Sequence, residues 1–282
     1  MNKTFLTLLA LVLTVSLSGQ TVFNAAISNQ IGDGANWTNG LPTAGNPGTL
    51  NIDANWGPGS AGTLEGYLVT QTGGVLSNSN NRNISGGTVW TINGVGAGID
   101  LTGTAQMIHG SGSAATLNLN EGFVSTGGNL QTRNGADFNI SGGTVSVGGQ
   151  FNIQTNSSVL LTGGAVTIAG ANGLAMQAGS LTFGVGNGTL TAGTLSTTGD
   201  SVIDFLPGSG GSITIAAFGA SEFEGLWDAG NLRFDSANAG TFASSFIVTG
   251  STLTVIPEPS AYAVLFGLGV LGLALLRRRR KA

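Results

Sequence analysis

The chain has 282 residues and no cysteine, and only 8% of the residues are charged against a usual share of about 25%. Its 49 glycines with six prolines exclude an ordinary helical protein and a collagen, and 41% hydrophobic residues exclude disorder driven by charge. Between Gln20 and Ile256, twelve Asp and Glu stand against Arg82, Arg133 and Arg233, a net charge of 3 − 12 = −9, so this stretch lacks the basic surface on which nucleic-acid binding depends.

Residues 1–19 place Lys3 before the apolar run FLTLLALVLTVSL and the small residues Ser16, Ser18 and Gly19. The run is shorter than the roughly 20 residues that span a bilayer. It therefore reads as a secretory signal peptide, delivered to the Sec export machinery and cleaved after Ser18 or Gly19. Residues 20–72 follow as an N-terminal cap region, in which DGANWTNGLP and NIDANWGPG set Trp37 and Trp56 among Gly, Asn and Pro. Such a segment suits the open end of a stacked β-structure, which exposes unpaired backbone until something covers it. The alternative use of these indoles is stacking on a sugar ring, and Trp37, Trp56 and Trp90 are the candidate glycan contacts.

From residue 73 to 204 the chain repeats itself. NISGGTV occurs at Asn83–Val89 and again at Asn139–Val145, with looser copies at LTGGAVTI, QAGSLTF and TAGTLST. Each reads as a Gly turn followed by an alternating strand, as in TVWTI from Thr88. Spacing of the turns predicts a coil of about 17 to 20 residues in a parallel β-solenoid, where each coil exposes an apolar face until the next covers it. Low charge fits the same architecture, because equivalent side chains in stacked coils lie about 4.8 Å apart and like charges repel there. These repeats resemble the autotransporter-associated β-strand repeats of large surface proteins.

Residues 205–256 change character, holding six of the thirteen Phe together with Trp227. In SEFEGLWDAG, Ser221 as N-cap with Glu224 three residues on predicts a short helix, with Phe223, Leu226 and Trp227 on one face and Gly230 ending it. Strands are predicted at NLRF, SSFIVTG and STLTVI. The fold class is thus all-β, a parallel β-solenoid (β-helix-like) body with an aromatic-rich C-terminal cap, plus one C-terminal transmembrane helix.

That helix belongs to residues 257–282. Pro257, Glu258 and Pro259 remove two N–H donors and fix two φ angles. A charge-free run from Ala261 to Leu276 follows, then the basic stop Arg277, Arg278, Arg279, Arg280 and Lys281. Sixteen residues give about 24 Å of helix at ~1.5 Å each, and flanking arginines snorkel to complete the span with their charges on the cytoplasmic side. Pro-Glu-Pro, apolar helix and Arg cluster in this order resemble the PEP-CTERM sorting domain of bacterial envelope proteins. The resemblance implies a Gram-negative-type bacterium, an exosortase that recognises Pro257-Glu258-Pro259 at the inner membrane, and a processed product at the cell surface or in the extracellular matrix, often associated with exopolysaccharide.

Catalytic groups are scarce. His109 is the single histidine, and without a second His or a Cys neither a multi-His metal site nor a Cys/His site forms. No G-x-S-x-G surrounds any serine. Asp200 and Asp204 on one strand lie about 13 Å apart, beyond the roughly 5 to 9.5 Å of a glycosidase pair. Glu222 and Glu224 belong to the predicted helix. Asp33, Asp53 and Asp100 match no EF-hand or repeat calcium pattern. Sequons begin at Asn36, Asn83, Asn139, Asn156 and Asn187. No enzyme activity and no cofactor are expected. A polysaccharide lyase or hydrolase is the third reading after a structural or adhesive surface protein and a carbohydrate-binding module.

Overall fold

Alternating strands of three or four residues separated by Gly turns cannot bury both edges locally, and the fold solves this by winding. The computed structural model describes residues 20–57, 63–102, 114–238 and 240–256. The chain visits three sheets in rotation: Asp137–Ile140 in the first, Thr144–Val147 in the second, Phe151–Gln154 in the third, then Ser158–Leu161 back in the first. The first and second sheets each hold ten strands. The third is a pair, Thr63–Glu65 with Asn83–Ser85, and a set of four from Leu130–Thr132 to Leu195–Thr198. Every strand pair in the winding body is parallel.

Register sets the coil length. Asn139 sits 21 residues beyond its neighbour Asn118, and Asn118 sits 27 beyond Thr91. Both exceed the 17 to 20 expected, because the Gly turns are corners and not coil boundaries. The twice-occurring NISGGTV makes the point. Asn83–Ser85 lies in the third sheet and leads into Val89–Ile92 of the first, whereas Asn139 lies in the first sheet and leads into Thr144–Val147 of the second. The heptapeptide therefore encodes a corner, used at different edges of the prism. Gly86, Gly87 and Gly143 take φ of 59°, 74° and 69°, and a Cβ at Gly143 would lie 2.5 Å from the Gly122 carbonyl oxygen of the coil beneath. Only glycine meets both demands.

Period-two alternation places one column of each strand inside. Leu117, Phe138, Val159, Leu181 and Ile203 stack coil on coil in the first sheet. Val124, Val145, Val166, Leu190 and Ile213 do so in the second. All are buried, and each contributes about 1.5–3 kcal/mol of burial. Outside, the columns are amides and hydroxyls. Asn139 Nδ2 donates to Asn118 Oδ1 at 2.9 Å, and Asn118 Nδ2 to Thr91 Oγ1 at 3.2 Å.

The winding begins earlier and ends later than the sequence places it. Thr21–Val22, Gly48–Leu50 and Leu68–Gln71 already form parallel first-sheet strands within the region expected only to cap. At the other end Ser212–Ile215 and Leu232–Phe234 continue the second and first sheets. The helix Ala220–Asp228 lies between them in the chain, where other coils carry a third-sheet strand. Its N-cap is Gly219, whose N–H donates to Glu222 Oε2 at 2.7 Å, so Glu222 fills the role expected of Glu224 and Ser221 lies inside the helix. That hydrogen bond holds the Glu222 carboxyl below its ordinary pKa. Gly230, with φ of 76°, closes the helix by bonding Trp227 O while Asn231 N–H bonds Leu226 O, a Schellman ending. Phe223 and Trp227 are buried and Leu226 half-buried against the core.

Phe246 anchors this end. Its ring lies 5.4 Å from Phe205, 5.7 Å from Trp227, 5.6 Å from Phe242 and 6.3 Å from Phe234. The expected signal peptide (1–19) and the C-terminal transmembrane helix lie outside the described residues. Among the described residues no helix is long and apolar enough to cross a membrane.

Two outcomes test this packing. Phe246→Ala opens a cavity at the meeting point of four rings and should lower stability by about 3–5 kcal/mol in denaturant unfolding, whereas Ser221→Ala on the exposed helix surface should change it by under about 0.5 kcal/mol. Asn118→Asp with Asn139→Asp puts two carboxylates about 4.8 Å apart and should cost on the order of 1–3 kcal/mol at pH 7. That deficit should shrink at pH 3, where both are protonated, and in 1 M salt, as thermal melts would record.

Candidate functional site

Strand Thr252–Val255 is the last described element and carries the chain to the sorting segment. It lies between Ser212–Ile215 and Phe246–Thr249, antiparallel to both, and Thr214 and Thr252 share a hydroxyl contact of 2.8 Å. The ladder holds as far as Ile256, whose N–H donates to Ser245 O at 2.9 Å. Pro257 follows with no N–H to give, so pairing cannot continue on that pattern. One residue separates the folded sheet from the Pro-Glu-Pro motif. Pro257, Glu258 and Pro259, and the basic stop Arg277, Arg278, Arg279, Arg280 and Lys281, lie outside the described residues, as does His109.

The three tryptophans proposed for glycan contact are core residues, a correction to the sequence reading. Trp37 is 3%, Trp56 1% and Trp90 0% exposed. Trp37 meets Phe23 edge-on at 5.2 Å and donates its Nε1–H to Ile31 O at 2.9 Å, closing the N-terminal end. Trp90 points inward from Val89–Ile92 and donates to Gln71 Oε1 at 3.0 Å, while Gln71 Nε2 reaches Gly74 O and Gly98 O, both at 2.8 Å. No indole face among them is free to stack on a sugar. The Gly and Asn residues around Trp37 and Trp56 leave the sequence unable to separate corners from exposed loops.

Asp204, Asp33 and Asp53 accept hydrogen bonds at turns and sheet edges. Asp204, 8% exposed, accepts from Ser236 N–H and Oγ at 3.1 Å each, while Asp200 is exposed. Asp33 caps the 3-10 turn Gly34–Asn36 through Ala35 N–H at 3.0 Å, and Asp53 accepts from Val75 N–H at 2.8 Å. Asp100 stands alone on Gly98–Leu101, and no group of three metal-ligating side chains occurs among the described residues. Asn36, first of the sequons, is fully buried and donates to Ser28 Oγ and Gln30 O, so its amide is unavailable to a glycan in the folded chain.

The sequence reading missed a cleft of about 300 Å³ near the N-terminal end, lined by Asn29, Gln30, Asn55, Asn78, Ser79 and Asn80. Its only trace in the sequence is the run SNSNN, which composition makes unremarked in a chain so rich in Asn. Gln30 and Asn55 are bridged in parallel, and Asn78 lies one coil further on.

The PEP-CTERM protein-sorting motif matches residues 255–280, a span that begins on the last residue of the final strand. No curated protein and no solved structure matches the chain.

Because Trp90 is a core residue, Trp90→Ala should cost about 3–5 kcal/mol and leave Gln71 Oε1 short of a donor. The expected signature in chemical denaturation is a lowered midpoint. A variant that melts as wild type would remove Trp90 from the core.

Proposed function

We propose that this chain is a structural or adhesive component of the cell surface or extracellular matrix, delivered there by exosortase processing. The sorting motif marks it as an exported, exosortase-targeted protein that is membrane-anchored before processing. The observation that supports the rest is the handover at Ile256: a paired sheet ends one residue before Pro257. An exosortase at the membrane would thus meet the motif immediately after a folded sheet that the described residues build. In this reading the Sec machinery exports the chain, the inner membrane holds the precursor, and exopolysaccharide surrounds the product. The engagement of Asp33, Asp53 and Asp204 as turn and edge acceptors supports a structural role for these three carboxylates.

Replacing Pro257, Glu258 and Pro259 together by alanine should retain the protein in the inner-membrane fraction, while the wild type is released without residues 277–282. Mass spectrometry of the extracellular protein reads this directly. Recovery of released protein that still carries Arg277 to Ala282 would remove processing from the account.

A further inference from the structure

The cleft at the N-terminal coils is framed by amides and presents others. Asn55 Oδ1 accepts from Gly57 N–H at 2.8 Å and from Asn78 Nδ2 at 3.1 Å, and Asn78 Oδ1 accepts from Asn80 N–H at 2.8 Å. These bonds tie the walls to the sheet. The side chains of Asn29, Ser79 and Asn80 make no hydrogen bond among the described residues, which leaves two amides and a hydroxyl available to a ligand. All six lining side chains are neutral and polar, a surface suited to hydroxyl groups and unsuited to an apolar guest. Its volume lies at the low end of the roughly 300–1,000 Å³ of small-molecule sites.

Beside it stands Arg82, 4% exposed. Its Nη2 donates to Gly57 O, the same carbonyl that receives Asn78 Nδ2 at 3.4 Å, so the guanidinium is one oxygen away from the cleft wall. Nη1 donates to Asn81 O at 3.1 Å, and Nε has no partner among the described residues. Burial lowers the pKa of this group, and among the described residues no acidic side chain opposes that shift. Buried arginines are ordinarily paired, because an isolated charge in a poorly hydrated setting is costly. An anionic group brought to the cleft would supply the missing counter-charge.

We infer that this cleft binds an acidic saccharide, with the hydroxyls of a hexuronate unit meeting Asn29, Ser79 and Asn80 and its carboxylate drawn toward Arg82. The inference rests on the polysaccharide association proposed above and gives it a place and a chemistry. The body's charge of −9 opposes a polyanion at long range, but that repulsion fades beyond about 8 Å at physiological salt and contact is decided by local groups.

The test uses the full chain in detergent with trigalacturonate and its methyl ester, which keeps the hydroxyls and loses the charge. Calorimetry should show the acid binding at least tenfold more tightly than the ester, and Asn29→Ala with Asn80→Ala weakening the acid at least tenfold. Arg82→Gln should bring acid and ester to equal affinity. Should Arg82→Gln fail to fold by circular dichroism, the Asn29 and Asn80 double variant still decides, since those side chains make no hydrogen bond among the described residues. Equal wild-type affinity for acid and ester, unchanged binding in the double variant, or no binding of either probe would overturn the inference. Capture of the producer's own extracellular polysaccharide separates the two levels: capture unaltered in the double variant sinks this site alone, and no capture by the wild type sinks the association itself.

Discussion

Parallel strands stacked about 4.8 Å apart make each side chain the neighbour of its equivalents above and below, and the rest of the molecule follows from that repetition. A column of like charges repels itself at such a spacing, whereas a column of amides or hydroxyls bonds to itself. Thr91, Asn118 and Asn139 form such a ladder on the outer surface. On the inside the same repetition turns single valines and leucines into continuous apolar stacks with no register error, since a one-residue slip would carry every column to the opposite face. The scarcity of charge in the composition is thus a consequence of geometry.

Repetition stops at two ends, and aromatic clusters close both. Trp37, Phe23 and Ile31 close the first coils, with Asn36 bonding the backbone of the covering loop. The last coils are closed by a helix, by the rings around Phe246 and by a strand pair that reverses direction against Ser212–Ile215. Reversal ends the parallel stack and brings the chain to Ile256 in a fixed position. The described chain therefore ends at Ile256, held in the sheet ladder. The sorting chemistry and the capping problem share the same few residues.

The candidate sites show where sequence reasoning succeeds and fails. The tail is a contiguous signal, and Pro257, Glu258, Pro259 and the arginines announce themselves in chain order. The helix at Ala220–Asp228 was legible for the same reason, although the cap falls on Gly219 because the carboxyl of Glu222 reaches back to it. For Trp37 and Trp56, set among Gly, Asn and Pro, capping and sugar stacking were both open from the sequence, and Trp90 sits in the alternating strand Val89–Ile92. Asn29, Asn55 and Asn80 belong to different coils, and nothing local distinguishes them from the many other asparagines.

The sequence by itself determined the class of fold, the alternation that separates core from surface, the aromatic character of the final coils and the sorting tail, because each depends on residues adjacent in the chain. Tertiary structure decided the coil length, the edge of the prism at which each NISGGTV corner falls, the interior fate of the tryptophans and the gathering of Asn29, Asn55, Asn78 and Asn80 beside Arg82. Those depend on which coil lies over which. Register between coils is a property of the whole stack, summed over dozens of backbone hydrogen bonds between residues about twenty or more positions apart, and no short window of sequence contains it.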